Sequence, residues 1–186
     1  ETGGHGPLNI PSADEPFATG TNGLLLPMGG GYEALMPGLA AAIFGHSRTG
    51  EVHVVMLPAS FSSDPFHISP VERTENLQAA EKRRVAMEAA LQALAPLGST
   101  CSVVLAPILT RADAEDRLHL ALFGPQVNAA FLLGGDQAVA MQVLAGTPLE
   151  CALCDLHRRG GVIAGTSAGA AVQSRIMLAG YRDDVD

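Results

Sequence analysis

The chain has 186 residues, of which 47% are apolar and 16% charged, with a formal net charge of −8. That length suits one domain, the apolar share supplies a core, and so low a charge density argues against a disordered polymer. The acidic balance argues against a nucleic-acid partner, which needs a basic face, and no apolar run reaches the length of a membrane span.

The first residues, 1–22, read as a tail: a Pro/Gly/Ser-rich stretch without periodicity. Glu1-Thr2-Gly3 resembles the remnant left when a vector's secretion signal is cleaved, so the tail is expected to be partly vector-derived and the protein secreted or extracellular. The domain is expected over 23–186. It opens with a strand, Leu24 to Met28, ending in Gly29-Gly30-Gly31, and a short helix from Met36 to Phe44 follows. A second strand spans Val52 to Leu57, and the loop from Pro58 to Ser69 carries Ser60, Asp64 and His67.

Ser69-Pro70-Val71-Glu72 has the form of a capping box with proline at the first helical position, opening a helix to about Leu94. Cys101 to Ala106 is a third strand, with Cys101 expected to be a buried thiol. Thr110-Arg111-Ala112-Asp113 caps a helix running to about Phe123. Ala129 to Leu133 is a fourth strand, ending in Gly134-Gly135-Asp136-Gln137, and Thr147-Pro148-Leu149-Glu150 is a third capping box. Val162 to Ala164 is the fifth strand, and a helix from Ala168 to Leu178 completes the pattern.

Short, continuous apolar strands alternating with helices predict an α/β fold, with a doubly wound, mostly parallel sheet flanked by helices on both faces. In such sheets ligands bind beyond the carboxyl ends of the strands. Three polar or glycine-rich loops fall there: Gly29 to Glu33, Gly134 to Gln137 and Gly165 to Gly169.

Gly165-Thr166-Ser167-Ala168-Gly169 has the Gly-x-Ser-x-Gly form of a nucleophile elbow, in which a sharp strand-to-helix turn lifts a serine hydroxyl above the sheet. The N–H of Ala168 is positioned by that turn to donate to an oxyanion, and the following helix is expected to point its N-terminus at the site. Gly135 is the candidate second donor. Asp136 and Gln137 are candidates to hold polar groups of a substrate, with Asp136 alternatively a helix cap. Gly30 lies in a tight turn that allows close approach to the site; the run of three glycines is not a dinucleotide fingerprint. Cys151, Cys154 and His157 fall near one helical face, but zinc needs a fourth ligand and no second cysteine pair exists, so small thiols packed against the sheet are expected, with no metal. A serine nucleophile needs a base, and His67, in a loop at the expected site edge, is the best internal candidate.

With these motifs in place, the chain from Gly23 onward resembles the serine peptidase family that holds cyanophycinase and dipeptidase E. The likeness rests on Gly165 to Val172, on Phe131 to Gln137, on Gly29-Gly30-Gly31 and on the Thr110 to Ala114 helix start. It implies a fold like that of class I glutamine amidotransferases and attack by Ser167 on an aspartyl or β-aspartyl peptide to form an acyl-enzyme. It also implies an oxyanion hole from Gly135 and Ala168, substrate contact by Gln137, and no cofactor. In that family the catalytic histidine and its acidic helper follow the serine by tens of residues, whereas only nineteen positions follow Ser167 here. The expectation is therefore a sheet incomplete on its C-terminal side, with exposed apolar surface, and a second polypeptide chain that completes the domain; self-association as a homo-oligomer stays open. The alternative is a non-catalytic extracellular binding module that keeps the fold.

Overall fold

The structure is a computed structural model and describes residues 23–47 and 49–178; the tail and the polar stretch Arg182 to Asp186 lie outside the described residues. Five strands, β1 (Leu24–Met28), β2 (Glu51–Leu57), β3 (Thr100–Leu105), β4 (Ala129–Leu132) and β5 (Val162–Thr166), form one sheet of order β1-β5-β4-β2-β3. All four pairings are parallel. The crossovers are helical: α1 (Met36–His46), α2 (Pro70–Ala93), α3 (Arg111–Glu115), α4 (Arg117–Leu120), α5 (Gln137–Leu144) and α6 (Pro148–Arg158), with a last short turn, α7 (Ala168–Ala171).

Strand side chains alternate between two cores, as the pleat requires. Val54, Met56, Val103, Phe131 and Ala164 face one side, packed with Leu39, Ile43, Met87 and Leu91 of α1 and α2. Val55, Leu57, Ala130, Leu132 and Ile163 face the other, with Ala114, Val143, Leu149 and Leu156. The sheet is thus covered on both faces, which is why its strands read as unbroken apolar runs.

The helix starts follow the caps, with one refinement. Thr110 and Asp113 close a reciprocal capping box. Ser69 accepts from the Glu72 N–H, but the Glu72 carboxylate turns to the Ser63 N–H and hydroxyl instead of back to the cap. Thr147 likewise accepts from Glu150, whose carboxylate takes the Gly146 N–H.

Two expected helices are corrected. The one from Thr110 to Phe123 breaks at Asp116, whose extended backbone (ψ 124°) and side-chain bond to the Leu118 N–H restart it as a separate turn. The one after Ser167 ends at Ala171 instead of Leu178. There the Gln173 amide donates to the Gly169 carbonyl and the Ser174 hydroxyl to the Ala171 carbonyl, competing with the next helical turn.

Strand β1 lies at one edge of the sheet. Leu24 donates to Gly161 and the Met28 carbonyl accepts from Ser167, so the even-numbered residues address β5. In a parallel ladder the odd-numbered Leu25 and Pro27 then turn their backbone groups outward. Leu25 is 47% exposed. Beside it a groove of about 490 Å³ is floored by Leu132 and Ile163 of the central strands and walled by Met141, Leu153 and Val172.

Candidate active site

The site is assembled at the carboxyl ends of β1, β5 and β4. Ser167 leaves β5 with φ 50° and ψ −116°, and among the described residues it is the one non-glycine with positive φ. That conformation stores about 1–3 kcal/mol of strain in an L residue and persists only where the surroundings enforce it. The enforcement is visible on every side. The Ser167 N–H donates to the Met28 carbonyl at 3.1 Å, and the Thr166 hydroxyl donates to the Gly29 carbonyl at 3.0 Å, tying the turn to the glycine loop after β1. The Ser167 carbonyl accepts from both Ala170 and Ala171.

The two flanking glycines are required by close approach. A Cβ on Gly169 would collide with the Leu132 carbonyl of β4, lying 2.6 Å from its carbon. A Cβ on Gly165 would run into the Gly169 backbone and come within 2.8 Å of the Gln173 amide nitrogen. Thr166, Ala168 and Gly169 are buried while Ser167 is exposed, so the turn presents one hydroxyl above a closed floor.

Gly134 faces this turn. A Cβ there would stand 3.0 Å from Ser167 Cβ and 3.7 Å from Oγ, so the absence of a side chain lets the Gly134–Gly135 peptide lie beside the nucleophile. Neither the Gly135 N–H nor the Ala168 N–H donates to an acceptor among the described residues. For Ala168 this follows from its place as the first residue of a helix.

The remaining sequence candidates fall as follows. Asp136 caps α5, with Oδ1 accepting from Ala138 at 2.7 Å and Val139 at 3.1 Å, so the cap alternative describes that oxygen. The Gln137 amide donates to the Leu178 carbonyl at 2.9 Å, which joins it to the segment after the elbow. Gly30 is exposed in the turn after β1, next to the Gly29 carbonyl that holds Thr166. The helix after the elbow is four residues long, so the expected helix-dipole contribution shrinks to its first N–H groups.

His67 is exposed on the loop after β2, its N–H donating to Asp64, and no hydrogen bond links it to Ser167. The loop bonds from Phe66 and His67 hold the Asp64 carboxyl below its ordinary range. His46 and His53 line a separate pocket at the amino ends of the strands, with Asn128 and Arg159. Cys151 and Cys154 are exposed, contrary to the expected packing of both thiols against the sheet, because α6 turns Leu149 and Leu156 inward instead. Among the described residues no group of three or more His, Cys, Asp or Glu is placed to hold a metal ion.

Sequence reasoning did not single out Asp113 as a structural hub. Its Oδ2 accepts from the Leu109 and Thr110 N–H groups, the Thr110 hydroxyl and, at 2.8 Å, Arg73. Burial raises its pKa, but Arg73 and these donors outweigh that and hold the carboxyl below its ordinary value. This network, with the Arg111 N–H donating to Pro65, binds the loop after β2 to the loop after β3.

The fold is shared with a solved structure. The chain is similar to a peptidase from an acI-B1 Actinobacterium, with a TM-score of 0.51 and 19% identity over 81% of this chain and 55% of that one. It is also similar to a protein named for Peptidase E from Listeria monocytogenes EGD-e, with a TM-score of 0.48 and 16% identity over 82% of this chain and 61% of that one. The chain thus spans less than two thirds of the length of either. No family model and no curated protein matches the chain.

Proposed function

We propose that the chain carries the nucleophile of a serine-type peptidase of the cyanophycinase and dipeptidase E kind, cleaving an aspartyl or β-aspartyl peptide bond through an acyl-enzyme on Ser167. The observation that carries this reading is the strained, exposed Ser167 beside two N–H groups, Gly135 and Ala168, that are uncommitted among the described residues. Support comes from the shared fold with a chain described as a peptidase.

In this reading Ser167 Oγ attacks the peptide carbonyl carbon and passes its proton to a base. The carbonyl oxygen gains the negative charge and accepts from Gly135 and Ala168, which is worth most where donors are fixed in advance. Collapse expels the amine, which takes the proton from the base, and water then frees the acyl group. Gly30, Asp136 and Gln137, on the segments after β1 and β4, would contact the peptide. Among the described residues no histidine is hydrogen-bonded to Ser167, so the proposal takes the base from a second polypeptide, with the outward edge of β1 and the apolar groove beside Leu25 as the receiving surface.

The test is a diphenyl phosphonate bearing an aspartyl side chain, applied to the protein with every chain that copurifies with it. Adduct mass on Ser167, lost in Ser167→Ala, together with a second chain released only on denaturation, is the expected result. Absence of any adduct would overturn the peptidase reading and leave a binding module with this fold.

A further inference from the structure

We infer that Ser60 is a positioning residue for the oxyanion donor Gly135, an inference that rests on the peptidase reading of Ser167. Ser60 is buried at the start of the loop after β2, 3% exposed. Its hydroxyl donates to the Leu133 carbonyl at 2.9 Å, and its own carbonyl accepts the Asp136 N–H at 2.9 Å. Leu133 and Asp136 bracket the Gly134-Gly135 pair, so one residue grips both ends of the peptide unit beside the nucleophile. Two glycines in sequence have few conformational restraints of their own, and a donor that swings loses value in a transition state. Ser60 also sets a stop: a Cβ on Gly135 would run into the Ser60 carbonyl and lie 2.9 Å from its hydroxyl.

The neighbouring loop residues bond elsewhere: the Phe61 carbonyl accepts from Asn76 of α2 at 3.1 Å, and the Ser62 hydroxyl donates to Leu109, beyond β3, at 2.7 Å. Of these three consecutive residues, Ser60 is the one whose bonds reach the residues that bracket the glycines. Ser62 makes the same kind of buried bond, 4% exposed, but to the far side of the loop. It supplies the control for a merely structural loss.

The experiment uses a peptide boronic acid with an aspartyl side chain on the boron-bearing residue. Ser167 Oγ bonds to boron, its proton leaves to solvent, and boron becomes a tetrahedral anion with a hydroxyl where the oxyanion would sit. Adduct affinity and the amide resonances of Gly135 and Ala168 are read in the full chain, with the copurifying chain if there is one. In the wild type both resonances are expected to move on binding. In Ser60→Ala the adduct is expected to weaken roughly ten-fold, below the ~100-fold loss of a whole donor, with the Gly135 shift altered and the Ala168 shift kept. Ser60→Cys, near in volume but a feeble donor, tests the same bond if the alanine variant does not fold, and is expected to weaken the adduct several-fold. Ser62→Ala is expected to bind as wild type does.

Equal binding by wild type and Ser60→Ala with the same Gly135 shift would overturn the inference. So would equal losses in Ser60→Ala and Ser62→Ala, or wild-type binding by Ser60→Cys. If the wild type forms no adduct at all, the peptidase reading fails first and takes the positioning role with it.

Discussion

Replacing Gly169 by alanine is the sharpest probe of how the turn at Ser167 is held. A Cβ at this position would lie 2.6 Å from the Leu132 carbonyl carbon and 2.9 Å from Leu132 Cβ, with the carbonyl oxygen closer still. Those atoms belong to β4, which is paired on both sides and cannot yield. The turn must instead retreat by about 1 Å to restore ordinary contact, an overpacking cost of roughly 2–3 kcal/mol. Ser167 sits two residues away and would move with it. A displacement of about 1 Å at a reacting group lowers rate on the order of 100-fold. The assay pairs denaturant unfolding with the rate of phosphonate labelling at Ser167. Gly38→Ala is the counterpart, since its Cβ meets nothing within 4 Å in an exposed part of α1. It is expected to gain about 0.8–1 kcal/mol, less any first-turn discount, and to label normally. If Gly169→Ala unfolds within about 0.5 kcal/mol of wild type and labels at the same rate, the reasoning from close approach is wrong.

Three other outcomes follow from the same geometry. Ser167→Gly relieves a positive φ worth about 1–3 kcal/mol while adding about 0.5–1 kcal/mol of chain entropy, so it should be about 1 kcal/mol more stable than Ser167→Ala in urea unfolding; equal midpoints would refute the strain. Asp113→Asn should cost about 1–2 kcal/mol at neutral pH by weakening a half-buried pair and its backbone donors. Because the folded Asp113 carboxyl is held below its ordinary value of 3.8, its stabilisation is complete above that pH and is lost as pH falls below it, so wild type and variant should converge on acidification; parallel curves would refute the linkage. Cys101, pushed up to about 11 by burial and by Glu88, should resist alkylation at about pH 8 until unfolding, while the exposed Cys151 reacts in the folded protein and Cys154, exposed but with its thiol pushed up by desolvation, reacts more slowly. Intact mass after a timed iodoacetamide pulse counts the modified thiols.

The strands were legible because a sheet covered on both faces demands unbroken apolar runs, as in Val54 to Leu57 and Ala129 to Leu133. The elbow was legible because two of its glycines are dictated by contact with β4 and with each other, and that constraint writes itself as spacing. The helix beyond Ala171 was misread because Val172 and Ile176 have the i, i+4 spacing of one helical face, yet Ile176 is 87% exposed. The break at Asp116 was missed because its extended backbone interrupts a stretch that otherwise reads as one helix. Ser60 and Asp113 act through partners 73 and 40 positions away, at Leu133 and Arg73, and no local pattern encodes a partner that only the strand order brings near.

Pro27 in β1 carries a further implication for how molecules of this chain meet. With its ring nitrogen turned outward, the exposed margin of the sheet offers a lone strand donor at Leu25 between acceptors that continue past it. A strand laid along this margin, from another copy or from a different polypeptide, is held fully only around Leu25 and loses one hydrogen bond at Pro27, so the edge is a weak template for extended sheet growth.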